Sequence, residues 1–143
     1  MIEYKTKIPK VFYAGGIIYN PINETFLLIF RDGNTKIEPY KWAIWGGGNN
    51  PDELPHECFI REFAEETGFQ LEVNEIELFD EYLVNELNTY RYTFVVNKNL
   101  DPHQLKLGEG GGFAMVPANQ LDKYSFCPRS IRDIRHYIDK LKN

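Results

Sequence analysis

Apolar residues run from Lys10 to Tyr19 with little interruption, and a second apolar run, Phe26–Phe30, follows the polar stretch Asn20-Pro21-Ile22-Asn23-Glu24. Two β-branched and aromatic runs across a turn-forming spacer predict a hairpin. Arg31–Lys41 is polar and predicts a loop. Trp42–Trp45 predicts a short strand that runs into Gly46, Gly47 and Gly48. Further on, Ile76–Leu87 and Tyr90–Val96 predict a strand pair turning at Asn88-Thr89, and Phe113–Val116 one more strand. Helical spacing occurs at two places. The first begins near Pro55 and stops at Thr67, where Gly68 can take the left-handed capping conformation. The second begins near Pro128 and carries Ile131, Ile134, Ile138 and Leu141 on one side, so it is expected only to cover the core. Strands with helices at two places predict a layered α+β or α/β fold. With 143 residues and no repeat, low-complexity tract or linker, residues 1–143 are expected to form a single domain.

Turning the first helix by 100° per residue places Glu66 about 40° to one side of Glu62 and Glu65 about 60° to the other. Phe63, Thr67, Ile60 and Ala64 fall on the far side, so the expectation is an apolar face inward and carboxylates outward. Like charges at three- and four-residue spacing cost about 0.2–0.5 kcal/mol per pair, and Glu62–Glu65 and Glu62–Glu66 are both such pairs. Two readings fit this cluster on its own: a solvated acidic face, or oxygen ligands for a hard divalent cation such as Mg²⁺.

The charge is concentrated here. Residues 52–69 hold Asp52, Glu53, Glu57, Glu62, Glu65 and Glu66 against Arg61 alone, a balance of −5 that equals the formal charge of the whole chain. The rest is neutral in sum, which argues against a nucleic-acid partner, since that needs a basic surface. Hydrophobic residues at 43% and charged ones at 26% suit an ordinary globular protein. No apolar run is long enough to span a membrane, and the amino terminus lacks a signal-peptide core. Cys58 and Cys127 fit neither a disulfide framework nor a paired zinc motif. A cytoplasmic protein is the expectation.

Spacing carries the reading further. Gly47, five residues, Glu53, seven residues, then Arg61-Glu62-Phe63-Ala64-Glu65-Glu66-Thr67-Gly68-Phe69 resembles the signature of the Nudix hydrolases, G-x5-E-x7-R-E-U-x-E-E-x-G-U, with every fixed position present. The likeness extends over the flanking strands and the last helix, from about Lys10 to Leu141. It implies an α/β fold, an α/β/α sandwich with a mixed central sheet. It also implies Mg²⁺-dependent hydrolysis of a pyrophosphate bond in a nucleoside diphosphate linked to another group, with Mn²⁺ as a substitute metal. By the same resemblance Glu62, Glu65 and Glu66 surround the metal, and a backbone carbonyl among Gly46, Gly47 and Gly48 joins them. Arg61 locks the helix to the preceding loop, and Glu53 orients Arg61 or reaches the metal through water. The general base is Glu62, or an acid beyond the signature, for which Glu109 is placed. Many relatives dimerise, so a homodimer is an open expectation.

Trp45 stands where many relatives have proline. Of the aromatic candidates Trp42, Trp45, Tyr13, Tyr90, Tyr92 and Phe113, it is the one expected to line the substrate pocket with Gly46 and Gly47. Arg31 or Lys36 is expected to meet terminal phosphates. Cys58 reads as a small buried thiol, and His56 as a surface residue. The complete signature favours an enzyme acting on a small-molecule nucleotide, a nucleoside triphosphate first, oxidised ones included. A nucleotide-sugar pyrophosphatase and a non-hydrolysing nucleotide sensor are the alternatives.

Overall fold

The computed structural model describes residues 2–33, 38–108 and 110–143. Strands β1 (Phe12–Asn20), β2 (Thr25–Phe30), β3 (Trp42–Ala43), β4 (Trp45–Gly48), β5 (Glu77–Val84), β6 (Thr89–Asn97) and β7 (Gly112–Pro117) form one mixed sheet, with helices α1 (Pro55–Thr67) and α2 (Pro128–Leu141). Its order is β3-β2-β1-β6-β5, with β4 on β1 and β7 on β2. The β1–β6 pair is parallel, Tyr13 beside Arg91, and the other pairs are antiparallel.

Strands β1 and β6 are covered on both faces, so their sequences do not alternate between apolar and polar. Ala14, Ile18, Tyr92, Phe94 and Val96 pack with Phe59 and Phe63 of α1. Ile17, Tyr19 and Val95 pack with Ile134 and Tyr137 of α2. Helix, sheet and helix thus form an α/β/α sandwich with a core on each face. Among the described residues no helix is long and apolar enough to cross a membrane.

Helix α1 spans the expected residues, and Gly68 caps it at φ 74 with its N–H donating to the Ala64 carbonyl at 2.7 Å. Two strands differ from expectation. Trp42–Trp45 is not one strand: β3 pairs with β2 and β4 with β1. The ladder changes partner at Ile44, whose N–H donates instead to Ser130 Oγ of α2 at 3.1 Å. Strand β5 ends at Val84, and Asn85–Leu87 forms a 3₁₀ turn closed by Asn88 at φ 48.

The orientation of α1 also departs from the wheel. The expected Phe63 and Thr67 are fully buried, but so are Cys58 and Phe59, whereas Ile60 and Ala64 are only half-buried. At 100° per residue Cys58 and Phe59 fall within about 60° of Glu62. Glu62 and Glu66 therefore lie on the sheet-facing side of the helix, not on its solvent face. Missing side chains on the sheet allow this approach. A Cβ on Gly16 would stand 2.1 Å from the Phe59 ring, and one on Gly47 2.6 Å from the Glu62 carboxyl carbon.

Candidate active site

Strand β4 sets Gly46 and Gly47 opposite Gly15 and Ala14 of β1. Gly46 has φ 147, a conformation that favours glycine. Its N–H donates to Glu66 Oε1 at 3.3 Å, which brings the last turn of α1 onto the strand. A cleft of ≈ 640 Å³ opens there, lined by Tyr13, Arg31, Asp32, Gly46, Glu62 and Glu66 and by Gly108 and Gly110 of the loop before β7.

Arg61 ties the wall of this cleft together. Its Nε donates to Glu53 Oε2 at 2.7 Å and its Nη2 to Glu53 Oε1 at 3.0 Å. Nη2 also donates to the Gly48 carbonyl at 3.1 Å, while Nη1 donates to Glu62 Oε1 and Glu65 Oε1, each at 3.1 Å. One guanidinium thus joins three carboxylates to β4. Its hydrogen bonds hold the Glu53 carboxyl below the usual carboxylate range, and Glu53 in turn raises the pKa of Arg61. Cys58 lies under this cluster and donates to the Gly47 carbonyl at 3.6 Å. Burial pushes its thiol up to about 12, so it stays protonated.

The expected residues divide as follows. Glu62, Glu66, Gly46 and Arg31 meet at one cleft, and Gly47 lies beneath Glu62. Glu65 does not line it; its side chain is 58% exposed and holds Arg61 from the outer side of α1. Trp45 is a correction. It is fully buried, donates from Nε1 to the Leu27 carbonyl at 2.8 Å and meets the Phe63 ring edge-on, so its indole is core and cannot touch a substrate. An indole N–H needs a buried acceptor, and β2 supplies one. His56 is half-buried, not a free surface residue, and its ring nitrogen pairs with the Tyr4 hydroxyl at 2.7 Å. Glu109 and Lys36 lie outside the described residues.

Two features escaped the sequence reading. Tyr13, weighed there and set aside, lines the cleft. Helix α2 also does more than cover the core. Its Asp133 is fully buried and accepts from Tyr82 Oη at 2.7 Å, Arg91 Nε at 2.8 Å and Thr93 Oγ1 at 3.1 Å. The Arg91 guanidinium carbon is 4.3 Å from the centroid of the Tyr13 ring. A lone aspartate between helical isoleucines was the available signal, because a buried carboxylate requires partners.

The donor set suits a hard divalent cation. Three carboxylates line the cleft, Asp32 and, on α1 beside the glycine strand, Glu62 and Glu66, with no thiol or imidazole among the described lining residues. Among the described residues no three Asp, Glu, His or Cys side chains converge as a closed metal cage. Mg²⁺ asks for no more, since it binds through one or two carboxylates and completes its shell with water and substrate phosphate.

The family model for the NUDIX domain matches residues 10–135. No curated protein sequence matches the chain. Among solved structures, a MutT from work on Aliivibrio salmonicida and Vibrio cholerae is similar at TM-score 0.75 and 19% identity, covering 91% of this chain and 98% of that one. MutT from Methanosarcina mazei Go1 is similar at TM-score 0.68 and 24% identity, covering 97% and 99%. A bifunctional NMN adenylyltransferase/ADP-ribose pyrophosphatase from Francisella tularensis, complexed with AMP and a manganese ion, is similar at TM-score 0.71 and 16% identity. That match covers 92% of this chain and 42% of the longer protein.

Proposed function

This chain belongs to the Nudix hydrolase family, and from that premise we propose that it hydrolyses a pyrophosphate bond in a nucleoside diphosphate linked to another group, with Mg²⁺ as cofactor and Mn²⁺ as substitute. A nucleoside triphosphate, an oxidised one included, is the proposed substrate class. The observation that carries this reading is the pairing of Glu62 and Glu66 on one cleft wall beside Gly46, within a complete signature. Arg31 on the same cleft supports a terminal phosphate there.

Glu62 and Glu66 would hold the cation together with a glycine carbonyl. Of the three glycines, Gly46 is the one that lines the cleft, and it is the proposed backbone ligand. When bound, the cation polarises phosphoryl oxygens and lowers the pKa of a bound water. Arg61 keeps the Glu62 carboxylate in place and offsets its repulsion with Glu65, since a pinned guanidinium does so without solvent rearrangement. Glu65 acts through Arg61, and Glu53 fixes the fork from below. Arg31 draws in the phosphate chain. Glu62 or Glu109 accepts the proton of the attacking water.

A panel of nucleoside triphosphates, oxidised nucleotides and nucleotide sugars, incubated with and without Mg²⁺ in oxygen-18 water, tests this. Metal-dependent cleavage with label in one phosphate product is expected, and the label identifies the attacked phosphorus. No cleavage of any member with either Mg²⁺ or Mn²⁺ would remove the reading.

A further inference from the structure

Tyr13 is the one aromatic side chain among the described residues that line the cleft. Its ring rests on Arg91, and Arg91 is 7% exposed and held by the fully buried Asp133. Arg91 Nη2 has no hydrogen-bond partner among the described residues. A buried, incompletely satisfied guanidinium is an unfavourable way to support a core, because an apolar side chain of similar size does so without the desolvation cost. Here its charge lies against the face of an aromatic ring and stiffens that ring in one position.

The other end of that ring reaches β4, whose Gly46 N–H donates to Glu66 of α1. A Cβ on Gly46 would stand 2.8 Å from the Tyr13 hydroxyl, and one on Gly15 2.6 Å from it. The hydroxyl therefore sits against Gly46, whose N–H holds Glu66. At neutral pH a phenol is a hydrogen-bond donor, and bonds to anionic oxygens are the stronger kind. We infer that Tyr13 is a substrate-contacting residue whose hydroxyl donates to an oxygen of the phosphate chain beside Glu66, with Arg91 and Asp133 as its positioning residues. This rests on the pyrophosphohydrolase reading of the same cleft. It also gives α2 a part in the site, through β6 and β1.

Tyr13→Phe tests it, since the ring stays on Arg91 and only the donor is lost. Binding of α,β-methylene-ATP with Mg²⁺ is measured by calorimetry, alongside KM and kcat on the best substrate of the panel and binding of Mn²⁺ alone. Kd and KM are expected to rise about tenfold, the worth of one bond to a charged group, with Mn²⁺ affinity and the thermal midpoint unchanged. Arg91→Lys keeps the charge without the planar stack and is expected to raise KM while kcat stays within about twofold. Wild-type Kd and KM in Tyr13→Phe, or a loss of Mn²⁺ affinity by the same factor, would overturn the inference. A wild-type protein that binds the analogue but cleaves nothing would sink the hydrolase reading alone, because the binding arm still reports on Tyr13.

Discussion

Arg61 and Glu53 are joined through two arms of the guanidinium, Nε to Oε2 at 2.7 Å and Nη2 to Oε1 at 3.0 Å, which leaves Nη1 to span Glu62 and Glu65. The acid at the loop and the acids on the helix are thereby held by one planar group. A lysine would carry the charge but not the fork. Arg61→Lys is expected to reduce kcat about ten- to a hundredfold, as for residues that orient metal ligands. Steady-state kinetics check this, and a wild-type kcat would show that Glu62 does not depend on the fork.

The depressed pKa of Glu53 makes its contribution pH-dependent. Its unfolded value is near 4.5 and its folded value lower, so its stabilisation is complete above the unfolded value and is lost as pH falls through the folded one. Glu53→Gln is expected to cost about 1–2 kcal/mol at neutral pH. Urea melts should show the difference from wild type closing as pH falls below 4.5. A gap that persists in acid would mean that the carboxylate charge is not what holds the loop.

Glu66 faces the cleft and accepts from Gly46 N–H. Glu66→Gln keeps an acceptor for that bond and removes the charge. Activity is expected to fall at least about a hundredfold with the thermal midpoint nearly unchanged, since loss of a charge-stabilising group in such sites costs that much. Weakened Mn²⁺ binding, measured by electron paramagnetic resonance, should accompany the loss.

Gly47 is open to a steric test. A methyl group there would meet the Glu62 carboxylate at 2.6–2.7 Å, closer than such contacts allow, so the side chain must swing aside. Gly47→Ala is expected to lower kcat about tenfold or more through loss of orientation. Circular dichroism should be that of wild type, because the displaced atoms are the end of a flexible side chain.

Asp133 is fully buried and accepts from four donors, Tyr82, Arg91, Thr93 and the Arg132 Nη1 at 3.0 Å. Asp133→Ala strands the Arg91 charge and is expected to destabilise the fold by about 3–5 kcal/mol. Asp133→Asn, which keeps one acceptor, should cost less. Chemical denaturation distinguishes them, and equal costs would show that charge is irrelevant there.

The extent of α1, its glycine cap, the hairpin, the β5–β6 pair and a layered fold were legible in the sequence, because turn chemistry and the periods of helix and strand are local; the sandwich was what the resemblance to the Nudix signature implied. Legible too was the pairing of Glu65 with Arg61, four residues apart on one helix, whereas the part of Glu53 in holding Arg61 was what the resemblance implied. The direction in which α1 points its acids was not legible. A helical wheel ranks residues by polarity, but Gly16 leaves room on the sheet for the Phe59 ring and Gly47 for the Glu62 carboxylate, and these two spaces let α1 turn that side inward.

The chain's own spelling determined which groups are carried, carboxylates and a forked cation at set intervals on one helix. Only the tertiary structure decided which side chains share the cleft. It sent Trp45 into the core, brought Tyr13 to the cleft and placed Asp133 of α2 behind it through Arg91. Those relations depend on strand register and on what covers each face of the sheet, contacts between residues far apart in sequence that no local pattern encodes.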